Sequence, residues 1–356
     1  MVDDSDGLFG GEAYDPYDDI DGSAAAGVSG QGLVLPHLAQ DVTGYEDIEK
    51  ELVALINKGE LPHSLIFAGP KGIGKSTMAF RLARFLVKNG VAATADAGPS
   101  LFGDDLPAAK VTSLNIDPDD KTFTQIAAGA HPDMLYLGQV YESDPKPGKG
   151  INVEEARKVV PFMRMTASGE GYRVVILDDA DLMLNSAQNA ILKILEEPPA
   201  NTLLILVTHR IGSMIATIKS RCRTIRFGEM SRENFSDLLG RHEALSPDDM
   251  EVMYSLTRGS VGRSIELLEE GGLASIYMIL DMFESFPVWD WPKIHASAQS
   301  KGGRGQENNM KIFEDIVLWV MDMMLKSKAT GKALPGMLDN PALNSMLSYY
   351  NLHECL

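Results

Sequence analysis

The sequence has 356 residues, of which 44% are apolar and 23% charged. That composition suits two or three folded domains and excludes global disorder. The formal net charge is −18, from 50 acidic and 32 basic side chains. The first basic residue is Lys50, and the residues before it hold 12 of the acids, so most of the excess charge lies in an amino-terminal tail. This balance argues against a protein that holds nucleic acid by bulk positive charge.

Cysteine content and hydropathy indicate the compartment. The two cysteines, Cys222 and Cys355, lie far apart in the sequence, so we expect neither a disulfide framework nor a cysteine-based zinc cluster. The amino terminus lacks the basic and apolar regions of a secretion signal. The longest apolar run, residues 316–325, is interrupted by Asp322 and is too short to span a membrane. We therefore expect a cytoplasmic chain with no membrane segment.

The first part of the chain divides into a tail and a mixed α/β region. Residues 1–32 are mainly Asp, Gly, Ser and Ala, and we predict a disordered acidic tail because so polar a segment cannot offset the entropy of ordering. Over residues 33–228, short β-rich runs alternate with helical segments, a pattern typical of a parallel sheet covered by helices. The predicted strands are residues 65–68, 134–137, 174–177, 203–207 and 224–227.

Two segments between these strands carry helix signals. Asn152 and Glu155 have the Asn-x-x-Glu spacing of a capping box, which predicts a helix start. A second helix follows Asn185 and is expected to end before Pro198, because proline disfavours helix at the preceding residue. Residues 88–130 are rich in Gly, Asp and Pro, which predicts a loop-dominated insertion to which we assign no function.

After residue 228 the strand-like runs disappear and helical signals replace them. Ser246 followed by Pro247 predicts a helix with serine as its N-cap and proline in its first turn. Two helical blocks follow from this pattern, residues 229–272 and residues 273–356. The second block is interrupted by a Gly-rich stretch at residues 300–305, which we predict to be flexible.

The strongest motif is G-x-x-x-x-G-K-[ST], which lies between the strand predicted at residues 65–68 and an amphipathic helix. Its glycines let backbone N–H groups turn toward a triphosphate, and the helix N-terminus adds its positive end. Lys75 is expected to bridge the outer phosphates and Ser76 to bind Mg²⁺. The alternative is a relic loop that keeps its shape without binding a nucleotide. The candidate nucleotide-binding residues are Gly69, Pro70, Lys71, Gly72, Ile73, Gly74, Lys75, Ser76 and Thr77.

A second element supports nucleotide binding. The apolar run at residues 174–177 ends in Asp178 and Asp179, which puts carboxylates at the carboxyl end of a buried strand, where a doubly wound sheet binds its ligand. Asp178 is therefore a candidate metal residue that holds the water shell of Mg²⁺. The alternative for Asp178 alone is an ordinary cap between a strand and a helix.

Residues 172–227 closely resemble the clamp-loader branch of the AAA+ ATPases. The most specific pieces are AILKILEEPP at residues 190–199 and Ser-Arg-Cys at residues 220–222. Together with Pro-His-Ser at residues 62–64 and His-Pro-Asp at residues 131–133, these pieces are similar to the delta prime family of bacterial DNA polymerase III.

The resemblance extends over about residues 35–270 and implies a domain organisation. It implies an α/β P-loop domain with a parallel sheet and helices on both faces at residues 33–228. A small helical lid at residues 229–272 and an all-α collar at residues 273–356, which packs with other subunits, would follow.

The resemblance also implies a function in DNA replication, with ATP and Mg²⁺ as cofactors. Such a chain joins the ATPase subunits and the clamp-opening subunit in a pentameric ring, which opens a sliding clamp and loads it onto primed DNA as part of the polymerase III holoenzyme. Arg221, in the Ser-Arg-Cys motif, is the implied arginine finger toward a neighbour's nucleotide, an element worth about 10³ to 10⁵ in rate. Its alternative is a surface arginine paired with a carboxylate.

Two further residues take roles from the resemblance. Thr208 falls near the position that senses the γ-phosphate, and its alternative is a hydroxyl that only ends a strand. Arg263, in Gly-Ser-Val-Gly-Arg at residues 259–263, resembles the second sensor, and its alternative is a solvated helix arginine.

The chain departs from the family pattern in two places that bear on chemistry. Residues 88–130 contain no cysteine, so we expect no zinc site where the family often carries a four-cysteine module. Asp179 stands where the family usually has glutamate, and its shorter side chain disfavours contact with the attacking water. We therefore expect ATP binding with weak or absent hydrolysis by this chain.

Two other functions stay open. The first is a motor subunit that hydrolyses ATP itself, since Lys75, Ser76 and Asp178 are intact. The second is an independent P-loop enzyme such as a small-molecule kinase. A zinc protease is excluded because Ser246 stands where the second histidine after His242 would have to be.

Overall fold

The computed structural model describes residues 35–90, 110–142, 148–169, 171–283, 288–292, 294–296 and 307–334, and a few single positions: 146, 338, 339, 341, 343 and 344. The strands are β1 (Ser64–Ala68), β2 (Met134–Leu137), β3 (Arg173–Leu177), β4 (Thr202–Thr208) and β5 (Arg223–Arg226). The helices up to the last strand are α1 (Glu46–Asn57), α2 (Lys75–Asn89), α3 (Lys121–Ala127), α4 (Val153–Arg157), α5 (Val159–Arg164), α6 (Asn185–Ala190), α7 (Leu192–Glu196) and α8 (Ala216–Lys219). The helices after it are α9 (Arg232–Gly240), α10 (Pro247–Thr257), α11 (Val261–Glu269), α12 (Gly272–Phe283) and α13 (Glu307–Thr330).

The five strands form one parallel sheet in the order β2-β3-β4-β1-β5. Ala68 at the end of β1 pairs with Thr208 at the end of β4, and Leu177 at the end of β3 pairs with Leu206. Because the strands are parallel and in register, their carboxyl ends lie along one edge of the sheet. The loops that leave this edge are therefore brought together, as in other doubly wound sheets.

Alternate residues of the strands pack into two separate cores. Phe67 and Ile205 belong to one core, and Ile66 and Leu204 belong to the other. This two-residue alternation follows from strand geometry. Every residue of β1, β3 and β4 is buried, which explains why these strands have continuous apolar sequences. The predicted fold class, a parallel sheet with helices on both faces, is confirmed.

Two buried arginines of α2 fix the chain segment that precedes α1. Arg84 donates to the carbonyls of Pro36, His37 and Ala39 at 2.8–3.3 Å. Arg81 donates to the carbonyl of Gln40 and contacts the carboxylates of Asp41 and Glu49 at 3.2 and 3.0 Å. Because buried cations need compensating acceptors, residues 36–41 are attached to the same helix that follows the phosphate loop.

The predicted helix boundaries agree with the described helices. Asn152 accepts hydrogen bonds from Glu154 and Glu155, and the Glu155 carboxylate accepts one from the Asn152 backbone, so the capping box is confirmed. Ser246 caps α10, which carries a proline in its first turn. The helix after Asn185 consists of α6 and α7 and ends at Glu196, before the prolines.

The chain beyond β5 is helical in the part that the structure describes, as predicted. α11 packs against α9, α10 and α12, and α12 packs against α13. Ile276 of α12 and Ile316 of α13 join the same core as one face of the sheet. The boundaries of a lid at residues 229–272 and a collar at residues 273–356 stay predictions.

Several predicted features lie wholly or partly outside the described residues. The acidic tail at residues 1–32 and the Gly-rich stretch at residues 300–305 are among them. Of the predicted insertion at residues 88–130, the described part from residue 110 onward is a segment without helix or strand, followed by α3. No described helix is long and apolar enough to cross a bilayer.

Candidate nucleotide-binding site

The G-x-x-x-x-G-K-S segment forms the connection between β1 and α2, at the carboxyl edge of the sheet. Gly72 and Gly74 have φ values of +72° and +103°, a left-handed conformation that glycine adopts without steric strain. A Cβ on Gly69 would lie 2.5 Å from the Phe227 carbonyl oxygen, so only glycine fits there. The loop therefore has the backbone turn that a triphosphate cradle requires, and the residues present fit that group.

Lys75 is buried at the start of α2, with 3% of its surface exposed. Its ammonium lies 2.6 Å from the Pro70 carbonyl oxygen and 2.9 Å from His209 Nδ1. Burial lowers the pKa of Lys75 to about 8, and the charges of nearby aspartates oppose that shift. An incoming anion would supply the counter-charge that this buried ammonium needs.

Ser76, Asp178 and Tyr136 form the second part of the site. The Ser76 hydroxyl donates to Asp178 Oδ2 at 2.8 Å, and the Tyr136 hydroxyl donates to the same oxygen at 3.0 Å. Burial and the neighbouring Asp179 charge raise the pKa of Asp178, while these hydrogen bonds act to lower it. A hydroxyl beside a carboxylate is a pair of oxygen ligands that suits Mg²⁺.

Asp179 contacts His209 through its side chain. Its backbone has φ +51°, an uncommon conformation for a residue other than glycine. The carboxylate Oδ1 lies 2.6 Å from His209 Nε2. Burial acts to raise the pKa of Asp179, but the hydrogen bond and charge of His209 and the charges of Lys71 and Lys75 outweigh it, and the pKa is lowered.

His209 thus links two charged side chains. Its imidazole lies between the Asp179 carboxylate and the Lys75 ammonium. His209 Nδ1 lies 2.9 Å from the Lys75 ammonium, and Nε2 of the same ring lies 2.6 Å from the Asp179 carboxylate, so the imidazole connects the two charged groups. The His209 backbone N–H donates to Asp181 at 2.8 Å, which fixes the imidazole at the end of β4.

A cavity of about 450 Å³ extends from the phosphate loop. It is lined by residues 72–77 and His209 at the phosphate loop, and also by parts of residues 36–43 and by Met230, Leu238, Arg241, His242, Val261 and Gly262. The lining thus combines the loop and several polar side chains with apolar ones. A mixed lining of this kind beside a phosphate loop suits a ligand that has both charged phosphates and an apolar ring.

Arg221 lies away from this site. The Ser64 hydroxyl, at the amino end of β1, donates to the Arg221 carbonyl at 2.9 Å, so Arg221 is at the opposite edge of the sheet. The five residues of β1 separate the two edges by about 16 Å. The guanidinium contacts Glu196 at 3.0 Å and the Thr217 carbonyl at 3.1 Å.

The chain is similar to several known proteins of DNA replication. Residues 109–231 match the family described as DNA polymerase III, delta subunit. DNA polymerase III subunit delta' of Pseudomonas aeruginosa is 35% identical over 160 residues, which is 45% of this chain and 41% of that protein. Subunit delta' of Escherichia coli is 27% identical over 253 residues, which is 70% of this chain and 68% of that protein.

These matches are to subunits of clamp loaders, and they support a place for this chain among the clamp-loader AAA+ proteins. Its similarity extends to archaeal members. Replication factor C small subunit 1 of Pyrobaculum arsenaticum is 28% identical over 247 residues, 67% of this chain. The aligned part spans 60% of the length of that relative. A solved gamma subunit-related protein of Thermotoga maritima aligns over 85% of this chain and 93% of that chain, with 15% identity and a TM-score of 0.37.

Two residues that the clamp-loader resemblance associated with nucleotide lie close to the site but have other contacts. Thr208 is fully buried, and its hydroxyl donates to Asp181 at 3.3 Å. The Arg263 guanidinium contacts Glu266 at 3.0 Å and Asp315 of α13 at 3.6 Å. Their assigned roles stay predictions, and in the described contacts both side chains are engaged within the protein.

His209 and Tyr136 are the site residues that sequence reasoning missed. The seven histidines of the chain looked scattered, but His209 directly follows β4 at the edge where the phosphate loop begins. Tyr136 lies in β2, next to β3, and its hydroxyl reaches past the strand pair to Asp178. Their positions in the sequence could have identified them, because a polar side chain at or near the carboxyl end of a predicted parallel strand lies at the edge that binds ligands.

Proposed function

We propose that this chain is a clamp-loader subunit of the delta prime type in a bacterial DNA polymerase III holoenzyme. In this proposal it binds ATP with Mg²⁺ and joins other loader subunits in a pentameric ring that places a sliding clamp on primed DNA. The similarity to subunits delta' and to replication factor C small subunits, together with the assembled phosphate-loop site, supports the proposal. The observation that carries it is the joint occurrence of Lys75, Ser76 and Asp178 within one hydrogen-bonded site of a clamp-loader fold.

The residues of the site have distinct tasks in this proposal. Lys75 and the loop amides bind the phosphates, while Ser76 and Asp178 hold the metal. Bound Mg²⁺ neutralises phosphate charge. Tyr136 keeps the Asp178 carboxylate oriented through its 3.0 Å hydrogen bond, and the cavity beyond the loop accommodates the nucleoside.

We further propose that Arg221 acts on the nucleotide of a neighbouring subunit. Its place at the opposite edge of the sheet supports this, because a side chain about 16 Å away cannot reach its own phosphate loop but is available to a neighbour packed against that edge. Its contact with Glu196 is between partly exposed side chains, and pairs of this kind contribute about 0–1 kcal/mol. A neighbour's phosphates could therefore displace Glu196 easily.

The contacts of Asp179 support weak hydrolysis by this chain's own site. A carboxylate that accepts a 2.6 Å hydrogen bond from His209 and has a lowered pKa is a poor proton acceptor for an attacking water. The alternative of a motor subunit keeps one observation in its favour, the intact cluster of Lys75, Ser76 and Asp178.

The central test is DNA- and clamp-stimulated ATP turnover by the reconstituted loader. Arg221→Ala is compared with Arg223→Ala, a nearby arginine that pairs with Glu51 at 2.7 Å. We expect turnover to fall by about 10³-fold or more with Arg221→Ala alone, with the ring intact by gel filtration. Unchanged turnover would overturn the trans-acting role, and failure of the wild-type chain to assemble with any loader subunit would favour an independent enzyme.

A second comparison separates the structural subunit from a motor. Lys75→Ala in the assembled loader removes the phosphate-binding ammonium of this chain only. We expect equilibrium dialysis to show one fewer bound ATP per ring and the turnover per remaining site to stay within about two-fold. A large loss of turnover with assembly intact would identify this chain as a motor subunit.

A further inference from the structure

Four charged side chains form a continuous series of ion pairs from the phosphate loop to helix α13. Lys71 Nζ lies 2.9 Å from Glu266 Oε1, and Glu266 Oε2 lies 3.0 Å from Arg263 Nη1. Arg263 Nη2 then lies 3.6 Å from Asp315 Oδ2. The charges alternate in sign along this series, so each of the two inner residues contacts an opposite charge on both sides. Its members come from the loop, from α11 and from α13.

The backbone fixes the relation between the two ends of the Lys71–Glu266 pair. The Gly262 N–H donates to the Gly72 carbonyl at 3.0 Å, and the Ser260 hydroxyl donates to the Lys71 carbonyl at 2.5 Å. A Cβ on Gly262 would lie 2.9 Å from the Gly72 Cα and carbonyl oxygen. The start of α11 therefore rests directly on the phosphate loop, and a change in loop position is transmitted to α11.

We infer that Glu266 and Arg263 are positioning residues that control how strongly the Lys71 ammonium is paired beside the phosphate loop, and that they link it, through Asp315, to helix α13. The inference rests on the proposed function, since it concerns the same nucleotide site. It assigns Arg263 a task different from direct phosphate contact, because both ends of its guanidinium are engaged with carboxylates.

Lys71 is close enough to the site for its charge to affect other residues there. Its charge acts on both Lys75 and Asp179. Glu266 and a bound triphosphate compete for the same ammonium, so the carboxylate of Glu266 weakens phosphate binding and its neutralisation strengthens it. Arg263 draws Glu266 away from Lys71, and Asp315 in turn draws Arg263 away from Glu266. The effects of these residues on anion affinity should therefore alternate in sign along the series of ion pairs.

The link to α13 makes the effect reciprocal. If the contact between Arg263 and Asp315 changes the affinity of the loop for a triphosphate, binding of the triphosphate must change the strength of that contact by the same factor. Helix α13 lies in the predicted collar, where packing between subunits is expected. The four residues would then report the occupancy of the loop to the part of the chain that contacts its neighbours.

Isothermal titration calorimetry on the full chain with Mg²⁺-ATP and with inorganic tripolyphosphate tests this. Glu266→Gln is expected to tighten binding of both probes by about three-fold, and Arg263→Gln to weaken it by about three-fold, as suits partly exposed pairs. Asp315→Asn is expected to tighten binding by about two-fold. The matched control is Asp322→Asn, on the same helix and equally exposed but paired with Lys326, which should change nothing.

Double variants distinguish coupling among these four side chains from independent effects of their charges. The effect of Asp315→Asn should disappear in a Lys71→Gln background, and the effect of Arg263→Gln should disappear in a Glu266→Gln background. Full additivity would overturn the inference, as would a loss above about ten-fold for Arg263→Gln that persists without Glu266, which would make Arg263 a direct phosphate ligand. Failure of the proposed function would give a different result: a wild-type chain that binds neither probe would overturn the proposed function itself.

Discussion

Replacing Lys75 by methionine is expected to stabilise the chain at neutral pH. The pKa of Lys75 is lowered from 10.5 to about 8, chiefly by burial. Between these two values the unfolded chain binds more protons than the folded chain, so stability rises with pH there, and the protonated lysine destabilises the fold below pH 8. At pH 7 that penalty is about 3 kcal/mol, and at pH 9.5 it has fallen to about 1.4 kcal/mol.

The difference between the two pH values is the quantity to measure. Loss of the hydrogen bonds to Pro70 and His209 offsets part of the gain from Lys75→Met, by about 1 kcal/mol each, but this contribution is common to both pH values. Urea titrations without nucleotide at pH 7 and pH 9.5 should therefore show the advantage of Lys75→Met shrinking by about 2 kcal/mol. Lys58→Met, at an exposed position, is the control.

Two results would refute this reasoning. The first is a stability difference between Lys75→Met and wild type that is the same at both pH values. The second is one that grows as the pH rises. Either would mean that the ammonium is compensated within the folded chain, and that nucleotide binding does not relieve a buried charge.

Three further predictions concern a buried ion pair, the phosphate loop and a helix cap. Asp133→Ala leaves Arg173 buried without its carboxylate 3.0 Å away, and urea titration should show a loss of about 3–5 kcal/mol, whereas a loss below about 1 kcal/mol would contradict a buried pair. Gly262→Ala places a methyl group against the phosphate loop, so calorimetry should show weaker ATP binding, while Gly212→Ala, with nothing within 4 Å, should leave it unchanged. Asn152→Ala removes the capping box of α4 and should lower stability by about 1 kcal/mol in thermal unfolding; an unchanged midpoint would rule out that contribution.

The fold could be predicted from sequence because its signals are local. Buried parallel strands have continuous apolar sequences, and the five predicted strands agree with the described ones to within one residue at each end. The phosphate loop was equally accessible, since glycines at fixed spacing meet a backbone requirement that no neighbouring element can change.

The orientations of individual side chains could not be predicted in the same way. Arg263 lies in a clear helix, but its contact with Asp315 depends on how α11 and α13 pack. The choice between Thr208 and His209 depends on which face of β4 each side chain occupies at the strand end. Thr208 points to Asp181, and His209 points to Lys75. A single sequence does not contain the register that decides between them.

The two arginines of α2 also determine where a folding unit can begin. Arg81 and Arg84 are 5% and 2% exposed, and residues 36–41 supply four carbonyl groups and one carboxylate that compensate their charges. A chain shortened to start at Val42 would retain both guanidinium groups without these acceptors, and stranding a buried charge is among the most destabilising changes a protein can undergo. The smallest stable version of this domain must therefore include Pro36, although no strand or helix begins before Glu46 in the described part of the chain.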